Sequence, residues 1–310
     1  MSREDRRAFL KSSLAGVASV GLSLNHMARG VSRNGQLSVA RYKSPSGEVE
    51  AIAEEARRLT QAAMQELGGM SRFVSRGDIV WVKPNLAWDR RPEQAATTNP
   101  DVVATVIELC YEAGAKEVLV SDNTCNKAQR TFPRSGIQKA AEEAGARIFF
   151  LDNRKFKTMT IGGKVVKDWE VYTEIVEADK LINLPIVKHH GLCQATLGMK
   201  NLMGAIGGKR NQFHQDLANA LSDLAAFLKP TLVVMDAIRV LTANGPIGGN
   251  LDDVKRLDTV IAGSDQVAVD SFGASLLGHD PESIGYIAEA ARRGLGKLDY
   301  KSLEPTEVVV

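Results

Sequence analysis

The chain has 310 residues, 44% of them hydrophobic and 25% charged, with a formal net charge of +2. That balance suits a soluble globular protein with a sizeable core, and near-neutral charge with 5% aromatic residues excludes a broad nucleic-acid surface. The three cysteines, Cys110, Cys125 and Cys193, lie far apart with no CxxC, so no four-cysteine iron–sulfur cluster is expected in this chain.

Residues 1–35 read as an address. Arg6-Arg7 precedes Phe9-Leu10-Lys11 and a weakly apolar, serine- and glycine-containing run, Ser12 to Leu24, too short to cross a membrane as a helix. The arrangement resembles the twin-arginine export signal of bacteria, which implies the twin-arginine translocase as a partner during export and a periplasmic location. Ala28 stands at a cleavage position, but His26 is a poor small residue for such a site, so retention of the segment as an anchor stays open.

The rest, residues 36–310, reads as a single α/β domain. Ser38–Tyr42 suggests a first strand, and Glu48–Leu67 a helix, with apolar residues at Val49, Ile52, Ala56, Leu59, Ala63 and Leu67 and a stop at Gly68-Gly69. Asp78–Val82 reads as a buried strand. Pro100–Ala113 reads as a helix with Asn99 as its cap, Pro100 in its first turn and Gly114 at its end. Glu117–Val120 is a strand, Ser135–Ala144 a helix and Arg147–Leu151 a strand. Met159–Val166 suggests a hairpin turning at Gly162-Gly163. Leu181–Leu184, Leu232–Met235 and Thr259–Ala262 are further strands, and Asp216–Leu228, Gln266–Leu277 and Pro281–Arg292 further helices. Glu307–Val310 is either an edge strand or a frayed tail. Short apolar strands alternating with amphipathic helices predict a mostly parallel sheet with helices on both faces, carrying a small antiparallel hairpin insertion.

In such sheets ligands sit beyond the carboxyl ends of the strands, and polar residues collect there in this chain. Val82 is followed by Lys83-Pro84-Asn85, Val120 by Ser121-Asp122, Leu184 by Pro185 and then Lys188-His189-His190, and Met235 by Asp236. The densest stretch runs from Lys188 to Gly204 and includes Cys193, Lys200 and Asn201; His214 follows within one more loop. Lys83, Lys188 and Lys200 are candidates to neutralise a carboxylate or phosphate as point charges, with Asn85 and Asn201 beside them as substrate-binding amides. His190 and His214, with Lys188, are the candidate catalytic groups for proton transfer. The alternative is a divalent metal held by His190 and His214 with Asp122 or Asp236, Asp270 being a further candidate carboxylate. In extended backbone His189 and His190 point to opposite sides, so only one faces the site. Gly204–Lys209 lacks phosphate-loop spacing because Arg210 follows Lys209, and neither G-x-S-x-G nor G-x-G-x-x-G occurs.

Taken in order, Val82-Lys83-Pro84-Asn85, Thr98-Asn99-Pro100, Ser121-Asp122, Asn183-Leu184-Pro185, Lys188-x-His190-Gly191, Lys200-Asn201-Leu202-Met203-Gly204, His214, Asp236, Gly245-Pro246 and Asp265-x-x-Ala268-Val269-Asp270 resemble the DUF362 family. That family is uncharacterised and is sometimes joined to ferredoxin-like iron–sulfur domains; the appended cluster-binding cysteines are missing here. The resemblance implies a domain without an established reaction. Two functional classes stay open: an exported enzyme acting on a small anionic molecule, metal-assisted or not, and a non-catalytic ligand-, metal- or cofactor-binding or accessory protein that serves a periplasmic redox partner. Either is compatible with a homo-oligomer.

Overall fold

A computed structural model of the chain describes residues 36–42 and 51–310. The export segment expected at residues 1–35 and the start of the helix expected at Glu48 lie outside the described residues. Among the described residues the strands are β1 (Leu37–Arg41), β2 (Ile79–Pro84), β3 (Glu117–Val120), β4 (Arg147–Ile148), β5 (Phe156–Thr160), β6 (Asp168–Tyr172), β7 (Lys180–Leu184), β8 (Ile186–His190), β9 (Gln194–Thr196), β10 (Leu232–Leu241), β11 (Val254–Gly263) and β12 (Thr306–Val309).

The main sheet runs β12-β1-β11-β10-β7-β2-β3-β4, with β8 and β9 branching from β10, while β5 and β6 form a separate antiparallel hairpin. Pairing is parallel from β10 through β7, β2 and β3 to β4, and antiparallel where β11 meets β10 and β1. The architecture is therefore a mostly parallel α/β sheet with a small antiparallel hairpin. Alternation along β2 shows why these segments are strands: Val80 and Val82 pack into one core, and Trp81 between them into the other. Helices cover both faces. Ala51–Glu66, Pro100–Glu112 and Ile137–Glu143 contribute to the Val80/Val82 core, and Leu217–Leu228, Gln266–Leu276 and Gly285–Arg292 to the Trp81 core. Asn99 caps its helix as expected, accepting from the Asp101 N–H at 2.8 Å.

Several elements differ from the sequence expectation. The helix expected over 135–144 is observed as Ile137–Glu143, and a further helix that was not expected, Ala128–Arg134, precedes it; the two are separated at Gly136, whose φ of 75° is left-handed. The strand expected over 147–151 stops at Ile148. The hairpin is longer than expected: its return strand is Asp168–Tyr172, and Gly162-Gly163 lie in the connection. That connection is anchored by the buried Asp223 carboxylate, which accepts the N–H groups of Lys164, Val165 and Val166 at 2.8–2.9 Å. β10 runs to Leu241, so Asp236 lies inside a strand and not beyond one. The terminal segment is an edge strand, β12, parallel to β1.

Candidate active site

The sheet forks where the chain passes from β7 to β8. β2 pairs with β7 as far as Pro84 and Leu184. After Pro185 the chain resumes as β8, which follows β10 and pairs with it from Asp236↔Ile186. β2 has no strand continuing beside β8. The segment after β2 fills part of the opening: Thr98 Oγ1 donates to the Leu184 carbonyl at 2.7 Å, and its oxygen accepts the Asn85 N–H at 2.8 Å. Beside it lies a cleft with a cavity volume of about 410 Å³, lined by residues that include Asn85, Trp88, Asp122, Lys188, His190, Thr196, Lys200, Asn201, Met203, Arg210 and His214. That volume is within the range of small-molecule sites.

β8 supplies the central groups by simple alternation. Lys188 and His190 face the cleft and are buried, while His189 between them turns away. The Lys188 ammonium position is met by the Asn85 side-chain oxygen at 3.2 Å and the Ala96 carbonyl at 2.6 Å. Burial pushes Lys188 down to about 7, with Lys200 pulling the same way, against Cys125 and Asp122. His190 Nδ1 accepts the Leu192 N–H at 3.1 Å, so a neutral ring carries its proton on Nε2. Burial, then the charges of Lys200 and Lys188, push His190 down to about 3 and hold it neutral at physiological pH. His189 Nδ1 accepts the Gly245 N–H at 3.1 Å, and a Cβ at Gly245 would collide with the His189 carbonyl oxygen.

The opposite wall comes from the segment after β9. Lys200, on the short helix Gly198–Asn201, is lowered by burial, and its amine lies 3.0 Å from the Met203 sulfur. Asn201 donates to the Asn183 side-chain oxygen at 2.8 Å and the Lys83 carbonyl at 3.2 Å, tying that wall to β7 and β2. His214 Nδ1 lies 3.3 Å from the Asn211 carbonyl, which makes Nδ1 the donor and leaves Nε2 as an acceptor. Its pKa is lowered by burial and then by Lys200. Thr196 is 4% exposed and lines the cleft, and its hydroxyl has no hydrogen-bond partner.

The structure brings together Asn85, Asp122, Lys188, His190, Lys200, Asn201 and His214. It does not bring Lys83, Asp236 or Asp270 to the cleft lining. Lys83 was expected to touch substrate; it lies behind Asp122 instead, paired with it at 2.8 Å and fully buried. Burial lowers its pKa and Asp122 opposes that shift. Asp122 Oδ2 also accepts the Leu86 N–H at 2.8 Å. A Cβ on Gly204 would overlap Asp122 Oδ1 and lie 2.6 Å from Lys83 Nζ, so this position needs glycine by close approach. Asp236 accepts the Asn99 N–H at 2.7 Å and the Ile238 N–H at 3.0 Å, and burial raises it to about 6. Asp270 accepts the Gly198 and Met199 N–H groups at 2.6 and 2.9 Å, and burial raises it to about 7. Both carboxylates are fastened to backbone, so Asp122, Asp236 and Asp270 do not form a metal-ligand set. Among the described residues no group of three or more His, Cys, Asp or Glu is placed to hold a metal ion.

Sequence reasoning missed Arg210, Trp88 and Thr196. Arg210 donates to the Asn123 carbonyl at 2.7 Å and the Thr124 carbonyl at 3.2 Å, which brings a guanidinium to the cleft wall. Its position immediately after Gly207-Gly208-Lys209 was the available signal.

A family model described as a domain of unknown function, DUF362, matches residues 80–275. A thylakoid-associated protein of Synechocystis sp. is 30% identical over 291 residues, covering 88% of this chain and 86% of that protein. The lactate racemase apoprotein from Thermoanaerobacterium thermosaccharolyticum aligns at a TM-score of 0.48 and 13% identity over 78% of this chain, which spans 57% of that structure. At that distance the alignment carries no statement about chemistry. The family match runs from β2 into the helix after β11 and so takes in both branches of the fork; with a relative of this identity and coverage, it places the chain in the DUF362 family.

Proposed function

We propose that the cleft binds a small organic anion and performs proton-transfer chemistry on it. One observation carries this reading: Lys200 and Arg210 line a cleft whose sole carboxylate among the lining residues, Asp122, is already neutralised by Lys83. A net positive, largely dehydrated site recruits an anion to offset it. Lys200 and Arg210 supply charge, and the unpartnered Thr196 hydroxyl offers one further polar contact. Trp88, Leu192, Met203 and Pro246 give the cleft an apolar side suited to a carbon skeleton. His190 presents an Nε2 proton, and His214 an Nε2 lone pair, so the two neutral imidazoles make an acid and base pair.

The test is calorimetric titration with small carboxylates and inorganic phosphate, followed by product analysis. Saturable binding that weakens with salt and is lost in Lys200→Gln supports the reading. Equal affinity for neutral amides overturns it, and stoichiometric binding without product assigns the site to a carrier instead of an enzyme.

The setting we propose is beyond the cytoplasmic membrane, reached through the twin-arginine pathway. Arg6-Arg7 and Phe9-Leu10 support it, as does the thylakoid association of the relative.

A further inference from the structure

We propose that Lys188 is a nucleophile that forms an imine with the carbonyl carbon of a small 2-oxo acid. The inference rests on the anion-binding reading and adds to it a covalent step and a substrate class.

The geometry of the Lys188 amine is the starting point. Two acceptors meet it, the Asn85 side-chain oxygen and the Ala96 carbonyl, and both are neutral. An ammonium has three hydrogens to place and an amine has two. Two acceptors therefore satisfy the free amine fully and leave its lone pair unengaged, and Lys188 lines the cleft. No carboxylate pairs with it: the nearby Asp122 is held by Lys83 and the Leu86 N–H. Lys83 shows the contrast. It is equally buried, but its amine contacts a carboxylate at 2.8 Å, the arrangement that keeps a lysine charged. Burial lowers Lys188 to about 7; against an ordinary lysine this makes its share of free amine at neutral pH larger by roughly a thousandfold. The groups that face it are Asp122, Cys125 and Lys200, with His190 two residues along the same strand.

The substrate class follows from the neighbours. A carbonyl next to a carboxylate places its electrophilic carbon near Lys188 while Lys200, Arg210 and the Thr196 hydroxyl receive the carboxylate. The Lys188 lone pair attacks the carbonyl carbon; a C–N bond forms and the C=O π pair moves to oxygen. A proton passes from nitrogen to that oxygen, giving the carbinolamine. A second proton, taken from solvent, converts the hydroxyl to water, which leaves as the nitrogen lone pair closes the C=N bond. The products are one protonated imine and one water, with no oxidant or reductant required.

The experiment uses the full chain, pyruvate as probe and sodium borohydride to reduce the imine to a secondary amine, with the adduct mapped by peptide mass spectrometry. The expected result is a saturable adduct concentrated on Lys188, suppressed by lactate, which keeps the carboxylate and lacks the ketone. Lys188→Arg should abolish it while circular dichroism shows a folded protein. If that variant does not fold, mapping in the unsubstituted protein with lactate competition decides the matter alone. Pyruvate that binds by calorimetry without labelling Lys188, or labelling spread evenly over surface lysines, overturns the imine and leaves the anion cleft standing. Neither binding nor labelling by pyruvate, with no other small carboxylate or phosphate bound, overturns both.

Discussion

The Lys83–Asp122 pair beneath the cleft gives the sharpest test of the site's construction. Asp122→Asn is nearly isosteric, yet it sets an unsolvable problem of donors. In the native side chain Oδ1 accepts from Lys83 at 2.8 Å and Oδ2 from the Leu86 N–H at 2.8 Å. An asparagine has one oxygen and one NH2, so in either orientation its NH2 faces a donor. Lys83 also loses its counter-charge while its other contact, the Pro84 carbonyl at 3.3 Å, is too weak to replace it. Removing one partner of a buried pair costs about 3–5 kcal/mol. For a chain of this size that is a fall in Tm of roughly 5–8 °C. Urea denaturation of the wild type, Asp122→Asn, Lys83→Met and the double variant completes a cycle. The double variant should be more stable than Asp122→Asn alone, because its asparagine can turn its oxygen to Leu86 with no ammonium opposite. Asp122→Asn within about 1 kcal/mol of wild type would show that the pair does not bear on stability.

The stability difference between wild type and Lys188→Met should shift in favour of wild type as pH rises from about 7 towards 10. In that window the unfolded chain holds the proton and the folded one does not, so stability rises with a slope approaching roughly 1.4 kcal/mol per pH unit; a flat difference in pH-resolved urea denaturation would contradict a lowered Lys188. His190→Gln should cost about 1 kcal/mol or less, since its side-chain oxygen can still accept the Leu192 N–H, while product formation or imine turnover falls at least about tenfold; a large loss of Tm with unchanged chemistry would make the histidine structural. Gly204→Ala should lower Tm by an amount matching about 1–3 kcal/mol of overpacking, because its Cβ meets Asp122 and Lys83. Replacing Arg6 and Arg7 with lysine should leave the protein in the cytoplasmic fraction, and an unchanged distribution would rule out the twin-arginine route.

Much of this site could be read from the chain because polar residues that follow apolar strands have few places to go. Asn85, Asp122, Lys188 and His190 follow β2, β3 and β7, and the fold gathers them. The rule failed where a strand did not end. Asp236 follows four apolar residues, but β10 continues for five residues beyond it, and the carboxylate serves the start of the helix at Pro100. Asp270 stands one turn into a helix, and only the tertiary approach of Gly198 shows that it holds backbone N–H groups. Lys83 could not be sorted from Lys188 by sequence, since both precede an asparagine or histidine near a strand end; burial behind Asp122 separates them. Trp88 reaches the cleft through irregular backbone and Arg210 from the start of a short 3-10 helix, Arg210–Gln215, neither of which periodicity can follow.

The fork in the sheet has a consequence for the cost of filling it. Pro84 faces Leu184 at the last rung of the β2–β7 ladder and Pro185 follows it, and neither proline has an N–H to offer a neighbouring strand. Beyond that rung the Asn85 N–H still reaches the Leu184 carbonyl at 3.2 Å, and the Asn85, Thr98 and Leu184 contacts hold the lips of the opening at a fixed span. A molecule entering does not have to prise strands apart or wait for a chain segment to withdraw. The opening is held by contacts already made, so affinity at this site should respond to the guest's own shape and charge more than to any rearrangement of the host.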